Sequence, residues 1–598
     1  MLKLKQAMKK LIIVLFASSL FASCSFLDTE MEQNYDREMF LKSGYSNILN
    51  YGLGVYGYLQ GLNSVSGTLL AAACDEADYS QNAAVQNFNT GAWDSYSNPD
   101  DVWGHYYKGI RHATLFLQDT YEYPRMIAVD TLGSGRPLWL RNCDNVRRLR
   151  AEVRLLRAYF YTELIKRYGG VPVVENVLTM DDNLEIPRKS FDECVQYIVD
   201  EIDDVYEELA THYTNFGYDE GTNQGNGGLG TDMSQLGRVD KPVAKALKLR
   251  VLLYAASKLH NPSMSHDKWV AAAEAGNDFM TDPECAHVRK LFGDNYGFLF
   301  STESNYQALQ PRADLNTGLI LTRPYAANTN AFEKANYPVG MTNATGQCVC
   351  PSYTLIRAMG AKNSAWNPAK PLDNLDARAG YMIVTPGSKM GKVNGVDRIV
   401  ESYEGGVDGV GARTGATTTG FYLRKFLCTN LDIVKGDTRH KSWVLMRYQE
   451  VLLNLAEAMN EAFGPDEKGL IEGTDYAYSA RELSQLVTNS YKYKPEGVPA
   501  SIVSKDDFRQ WLIEERRVEL AFEGHRFFDV RRWMIAEQTE NKPLLGLKVS
   551  VDSSSGETRY EEFVVEQRAF VAPKMYLYPI PVAEINKSNG SLQQNPGW

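Results

Sequence analysis

Apolar residues return every three or four positions in a series of long stretches, the spacing of a helix with one buried face. These stretches are Asp36–Leu62, Trp103–Tyr121, Asn145–Tyr168, Ser190–Tyr213, Val239–His260, His266–Met280 and Ser442–Phe463. In Asn145–Tyr168 two stripes run side by side, Val153, Leu156, Phe160 and Leu164 next to Ala151, Leu155, Ala158 and Ile165. Such a helix is predicted to be buried on most of its circumference. Gly169 and Gly170 stop it and Pro172 follows, a helix C-terminal signature. Ser190, with Glu193 three residues on, predicts a capping box. In Ser442–Phe463 one stripe is made by Tyr448, Leu452, Leu455, Met459 and Ala462. Between Leu291 and Lys435 the periodicity fades among Gly, Asn, Thr, Pro and aromatic residues, which predicts irregular structure with a few short strands and helices. Gly217–Gly237 is polar and glycine-rich but lacks the Gly-Lys-Ser/Thr ending of a phosphate cradle, so it is read as a surface loop.

One stretch breaks the amphipathic rule. Ile513–Trp533 carries Glu514, Glu515, Glu519, Glu523 and Asp529 with Arg516, Arg517, Arg526, Arg531 and Arg532. Among them sit Val518, Leu520, Phe522, Phe527, Phe528 and Trp533, too much apolar surface for a solvated charge run. On a helix Glu515, Glu519 and Glu523 form one row at i, i+4, i+8. Like charges so stacked repel unless cations meet them, so the row predicts guanidinium partners from other elements. The expected network joins Glu515, Arg516, Arg517 and Glu519 to Arg447, Glu450 and Glu457, with Arg516 or Arg517 pairing Glu450 or Glu457. Gly524 interrupts the run, where glycine often marks close backbone packing.

With 598 residues, 44% apolar and 23% charged, the chain can bury large cores. A net charge of −11 argues against nucleic acid, which needs a basic face. Lys3, Lys5, Lys9 and Lys10 precede the apolar run Leu11–Phe21, and Ala22, Ser23 and Cys24 follow. That is the layout of a secretory signal peptide, too short to span a bilayer as a mature helix. Small residues directly before a cysteine resemble a bacterial lipobox, with Cys24 as the acylated residue, although Phe21 stands where a smaller aliphatic residue is usual. The other cysteines, Cys74, Cys143, Cys194, Cys285, Cys348, Cys350 and Cys428, are too sparse for a disulfide scaffold. Cys348 and Cys350 are the one close pair and are read as structural, with a local disulfide as the weaker alternative.

Several runs carry a family resemblance. ERRVELAFEGHRFFDVRRW resembles the C-terminal motif of the SusD/RagB family of surface nutrient-binding lipoproteins. AEVRLLRAYFYTELIKRYGGVPVV, VAKALKLRVLLYAASKL, NPAKPLDNLDARAGYMI, RYQEVLLNLAEAMNE and the closing YLYPIPVAEINKSNGSLQQNPGW resemble further blocks of that family, in its order. The resemblance implies a mainly α fold, an α/α superhelix of tetratricopeptide-like helix pairs with a less regular, loop-rich ligand-binding half. It divides the chain into a signal peptide (1–23), a lipidated tether (24–35), an N-terminal helical region (36–285) and a C-terminal region (286–598). The last is loop-rich over 291–435 and helical over 442–534. The implied role is to hold an extracellular oligosaccharide at the outer membrane and deliver it to a TonB-dependent, SusC-like β-barrel partner. Peptide binding, as in RagB-like members, is the alternative; a glycan-cleaving enzyme and a superhelical adaptor are the rivals from other classes.

Residue chemistry fits a binder. The chain has no GxSxG, no kinase set, no Rossmann fingerprint and no zinc-finger spacing, so no catalytic residue, cofactor or metal is called for. His525 and Asp529 at i, i+4 lack a third ligand, and a buried histidine satisfied by a carboxylate is the better reading. Sugar rings stack their C–H faces on aromatic rings while their hydroxyls need amides and carboxylates around them. Trp93 and Tyr96 among Asn87, Asn89 and Asn98 offer that combination, as do Tyr325 and Tyr337 near Asn328, Asn330 and Asn336. The competing reading of each ring is an anchor that pins its loop to the core.

Overall fold

The computed structural model describes residues 41–42, 44–179, 181–183, 185–211, 237–289, 318–324, 328–439, 441–471, 474–489, 495–552 and 554–598. Cys24, the tether, most of the Gly217–Gly237 loop and Tyr325 lie outside them. The fold is mainly α. Its longer helices are α1 (Tyr45–Leu53), α2 (Trp103–Asp119), α3 (Arg136–Tyr168), α4 (Phe191–Val205), α5 (Lys241–Ala256) and α6 (His266–Thr281). After the irregular region come α7 (Tyr353–Ala361), α8 (Tyr448–Phe463), α9 (Ala480–Asn489), α10 (Lys505–Glu519) and α11 (His525–Arg532). The described residues form two compact units: those up to Tyr51 with Asp119–Val146, and those of Gly52–Gln118 with Arg147–Trp598.

Local chemistry accounts for the helix ends. Ser190 caps α4 as expected, its hydroxyl accepting from Glu193 N at 3.2 Å while Glu193 accepts from Ser190 N at 2.7 Å. Asp240 caps α5 by accepting from Val243 N. In the larger unit α4 packs on α5, α5 on α6, α6 on α8 and α8 on α9, so each buries its stripe against a sequence neighbour or near-neighbour.

The Ser442–Phe463 stretch is not one helix. Ser442–Arg447 is a strand antiparallel to Leu319–Pro324, and the helix α8 starts only at Tyr448. Trp443–Met446 is a short continuous apolar run, which periodicity alone does not tell from a buried helix segment, and this concealed the change of element. Within α8 every residue from Tyr448 to Glu461 is buried, Gln449, Glu450, Asn454, Glu457 and Asn460 included. The single stripe read from the sequence thus marks one side of a helix surrounded on all sides.

Short two-stranded ladders stitch the irregular region: β1 (Ala77–Tyr79) with β3 (Val349–Pro351), β2 (Leu319–Pro324) with β6 (Ser442–Arg447), and β4 (Lys389–Val393) with β5 (Val396–Ile399). A hairpin, β7 (Leu544–Val551) with β8 (Thr558–Glu566), packs on α7 through β7. Despite its loop-like composition, this region holds a large core of its own, including Tyr337, Met341, Cys348, Cys350, Tyr353, Met382, Phe421, Tyr422 and Leu427.

Candidate functional site

The acidic row does meet cations, from three directions. Glu515 accepts from Arg378 NH1 at 2.7 Å and lies 2.9 Å from Lys362 Nζ. Glu519 accepts from Arg378 NH1 at 2.9 Å and from Arg447 NH1 at 2.7 Å. Glu523 accepts from Arg447 Nε at 2.7 Å and from Lys425 Nζ at 2.8 Å. Arg378, Arg447, Glu515 and Glu519 are all fully buried. Burial alone raises a carboxyl pKa, yet Glu515 and Glu523 are held down to about 2, Glu515 by Arg378 and Lys362, Glu523 by Arg447 and Lys425. Glu523 is not on the helix with the other two. α10 ends at Glu519, and Gly524, at φ 81°, starts α11. A Cβ there would meet nothing within 4 Å, so its left-handed backbone, not close packing, calls for glycine.

The remaining charges follow the sequence expectation only in part. Arg516 makes the expected ion pair with Glu457, at 3.9 Å, but its hydrogen bonds go to Asp529 at 3.1 Å and to Asn454 Oδ1 at 2.7 Å. Arg517 faces Asp75 at 2.9 Å instead of a glutamate of α8. Glu457 belongs to Arg532, whose NH1 and NH2 lie at 2.5 and 2.7 Å, and to Trp533 Nε1 at 2.7 Å. Glu450 belongs to Arg250 of α5, with two bonds of 2.7 Å. His525 lies 3.8 Å from Glu450, and burial holds its pKa down to about 4, so the ring is neutral near neutrality. Asp529, engaged by Arg516 and Arg532, is not its partner. Sequence reasoning did not single out Lys362, Lys425, Asp75 or Arg250 for this network. Asp75 and Glu76 follow directly on the apolar run Leu69–Cys74, and acids in such a setting are a usable signal of buried pairing. Asp75 accepts two bonds of 2.9 Å from Arg526. Glu76 carries only the Phe522 amide on one oxygen, and burial with the neighbouring Asp75 charge pushes it up to about 8.

A polar hollow of about 80 Å³ lies beside this network, lined by Tyr106, Tyr159, Lys166, Arg250, Tyr254 and His525 among others. Lys166 is held down to about 8 by burial, against the pull of Glu163. The hollow is far below the roughly 300–1,000 Å³ of ordinary ligand sites. Its carboxylates, Glu163 and Glu523, are already claimed by Lys166, Arg167, Arg447 and Lys425.

Of the candidate rings, two are core. Trp93 is 3% exposed and packs edge-on against Phe88, Tyr578 and Trp598, at centroid distances of 4.8, 5.5 and 4.5 Å. Tyr337 is fully buried, its hydroxyl donating to the Cys428 carbonyl. Neither has a ring face to offer a ligand, which corrects the sequence expectation for both. Their asparagine neighbours are also engaged: Asn89 donates to the Ala72 carbonyl, and Asn336 donates to the Phe332 carbonyl while accepting from Val349 N. Tyr96 is the opposite case, 81% exposed. Asp94 Oδ1 accepts from Tyr96 N at 2.8 Å and Ser97 N at 3.0 Å, an Asx turn that fixes the backbone under the ring. Val582 N donates to the Ser95 carbonyl at 3.1 Å, tying the turn to the C-terminal segment. Trp93 thus anchors the loop and Tyr96 is what the loop presents.

Two family models match the chain, one described as SusD family over residues 317–598 and one as starch-binding associating with outer membrane over residues 25–216. Among curated proteins, SusD-like protein P2 of Formosa agariphila is 30% identical over 163 residues, and SusD-like protein P38 of the same organism 23% identical over 391. The matched stretches cover 27% of this chain and 27% of P2, and 64% of this chain and 65% of P38, under two thirds of either relative. A solved SusD-like protein from Bacteroides fragilis superposes with a TM-score of 0.71 at 22% identity, covering 93% of this chain and 98% of that one. A SusD-like carbohydrate-binding protein of the same species gives 0.66 at 20%, covering 91% and 98%. A laminarin-binding SusD-like protein gives 0.56 at 18%, covering 93% and 100%.

Proposed function

Because the chain belongs to the SusD/RagB family, we propose that it is a surface glycan-binding lipoprotein, anchored through Cys24 and delivering oligosaccharide to a SusC-like transporter in the outer membrane. The observation that carries the reading is the pair of family matches, one of them to a starch-binding, outer-membrane-associated family. A carbohydrate-binding and a laminarin-binding protein on the same fold support glycan as the ligand class. One surface feature supports it. A ring that is 81% exposed on a turn fixed by Asp94 and anchored by Trp93 gives a sugar a stacking face at little ordering cost. The reading is of binding without chemistry, which the carbohydrate-binding and laminarin-binding proteins on the same fold support.

The test is a screen of oligosaccharides and peptides against the chain from Ser25 onward, with chromatography of each glycan before and after. Reversible glycan binding with unchanged glycan is expected. Peptide binding alone would replace the ligand class, and shortened glycan would replace the binder with an enzyme. Cys24→Ala should release the protein from the membrane fraction with its melting temperature unchanged.

A further inference from the structure

Cys348 and Cys350 stand two positions apart at β3, so their side chains leave the same face, and their sulfur atoms are 3.6 Å apart. Both are fully buried in the core of the irregular region. In extended chain an i, i+2 pair spans about 6.6 Å between Cα atoms, inside the roughly 4.4–6.8 Å a disulfide accepts but near its upper end. Each sulfur has at most weak alternatives: Cys348 Sγ meets the Gly415 carbonyl at 3.7 Å, and Cys350 Sγ meets the Cys348 carbonyl at 3.6 Å. Neither contact is shorter than the 3.6 Å between the two sulfurs.

The place matters to the surface. β3 pairs with β1, Asp78 opposite Cys350 and Tyr79 opposite Val349, and Ser80 N extends the ladder to the Cys348 carbonyl at 3.0 Å. Ser80 Oγ accepts from Cys348 N at 2.9 Å, and Gln81 Nε2 donates to the Gly346 carbonyl at 2.8 Å. The segment around Cys348 is thus what holds the start of the loop that runs on to Trp93 and Tyr96.

The geometry points to an intrastrand Cys348–Cys350 disulfide, formed as the chain folds outside the cytoplasm and stapling β3 under the Ser80–Gln81 loop. It rests on the outer-membrane reading only for its compartment, where thiols meet disulfide oxidants. The step is ordinary exchange. The Cys350 thiolate attacks one sulfur of an oxidant disulfide and releases a thiol. Cys348, losing its proton, then attacks the Cys350 sulfur of the mixed disulfide and releases the second thiol. Two protein thiols and one oxidant disulfide become one protein disulfide and two oxidant thiols. Because both sulfurs are buried once β1 has paired with β3, the exchange precedes that pairing.

The test uses full-length protein extracted from outer membranes, denatured and alkylated without reductant, then digested and mapped by mass. The peptide containing both residues should appear unalkylated and lighter than its dithiol form by two hydrogens, and doubly alkylated after reduction. Cys428, buried in the same core, should be alkylated in both samples, which controls for denaturation and for chance oxidation. In Cys350→Ser protein, Cys348 should become alkylated. Reductant should lower the wild-type melting temperature and leave the Cys348→Ser/Cys350→Ser double variant unmoved. Alkylation of both cysteines in most unreduced molecules overturns the inference, as does a bond from either to a third cysteine. Glycan binding plays no part in this readout, so its failure and the failure of the functional reading are separable.

Discussion

The Leu512–Arg532 segment and the Gly91–Asp100 loop show opposite relations between composition and place. The first is crowded with charge and is buried; the second is polar and irregular, yet its tryptophan is core. What separates them is partners. Each acid of Glu515, Glu519 and Glu523 is met by two cationic side chains, which lets it leave water. Trp93 follows the ordinary rule for a large ring with aromatic neighbours, and only Tyr96, three residues on, is left outside.

Breaking the buried network should give the largest effect. Arg378→Met takes the guanidinium from Asp376 and one of the two cations from each of Glu515 and Glu519, and removing one partner of a buried pair costs about 3–5 kcal/mol. Urea unfolding should show a large loss, while Arg125→Met, from an exposed pair with Glu122, should change stability by about 0–1 kcal/mol. Equal midpoints for the two would mean that the row is not under load. Trp93→Ala comes next, at about 3–5 kcal/mol for a buried aromatic, read as a lowered melting temperature.

Glu76 sharpens the contrast from within the core, since it is an acid whose partners do not suffice. Its folded pKa, raised to about 8, lies above the ordinary 4.5, so the unfolded chain releases this proton first as pH rises. Its contribution is whole below about pH 4.5 and is lost as pH climbs through 8. Glu515 and Glu523 run the other way: held to about 2, they stabilise above pH 4.5 and lose this as pH falls toward 2. Glu76→Gln should therefore raise the melting temperature at pH 9 relative to wild type and do little at pH 5. A gain of the same size at both pH values would contradict the assignment.

The helices and the buried charged run were legible because both are periodic. The capping box at Ser190, the stop at Gly169 and the cations demanded by the glutamate row follow from local spacing. Partner identity did not follow. Arg516 turns to Asp529, beyond the break at Leu520–Gly524, and Arg517 to Asp75, far away in the chain, and sequence spacing alone specifies neither. The strand β6 was hidden inside an apolar run whose period changes at Arg447. For the rings, sequence gave chemistry without burial: Trp93, Tyr96 and Tyr337 share a texture of asparagine and glycine, and only long-range packing sorts them into core and surface.

The smallest change in stability should come with the clearest change in function. Calorimetric titration of Tyr96→Ala with the best glycan from the screen, beside wild type, tests the account most directly. Losing one stacked ring is worth about 1–3 kcal/mol, so affinity should fall roughly tenfold to a hundredfold. As an exposed side chain, Tyr96 should leave the melting temperature unchanged. Wild-type affinity in Tyr96→Ala would place the ligand elsewhere on the surface and contradict the account.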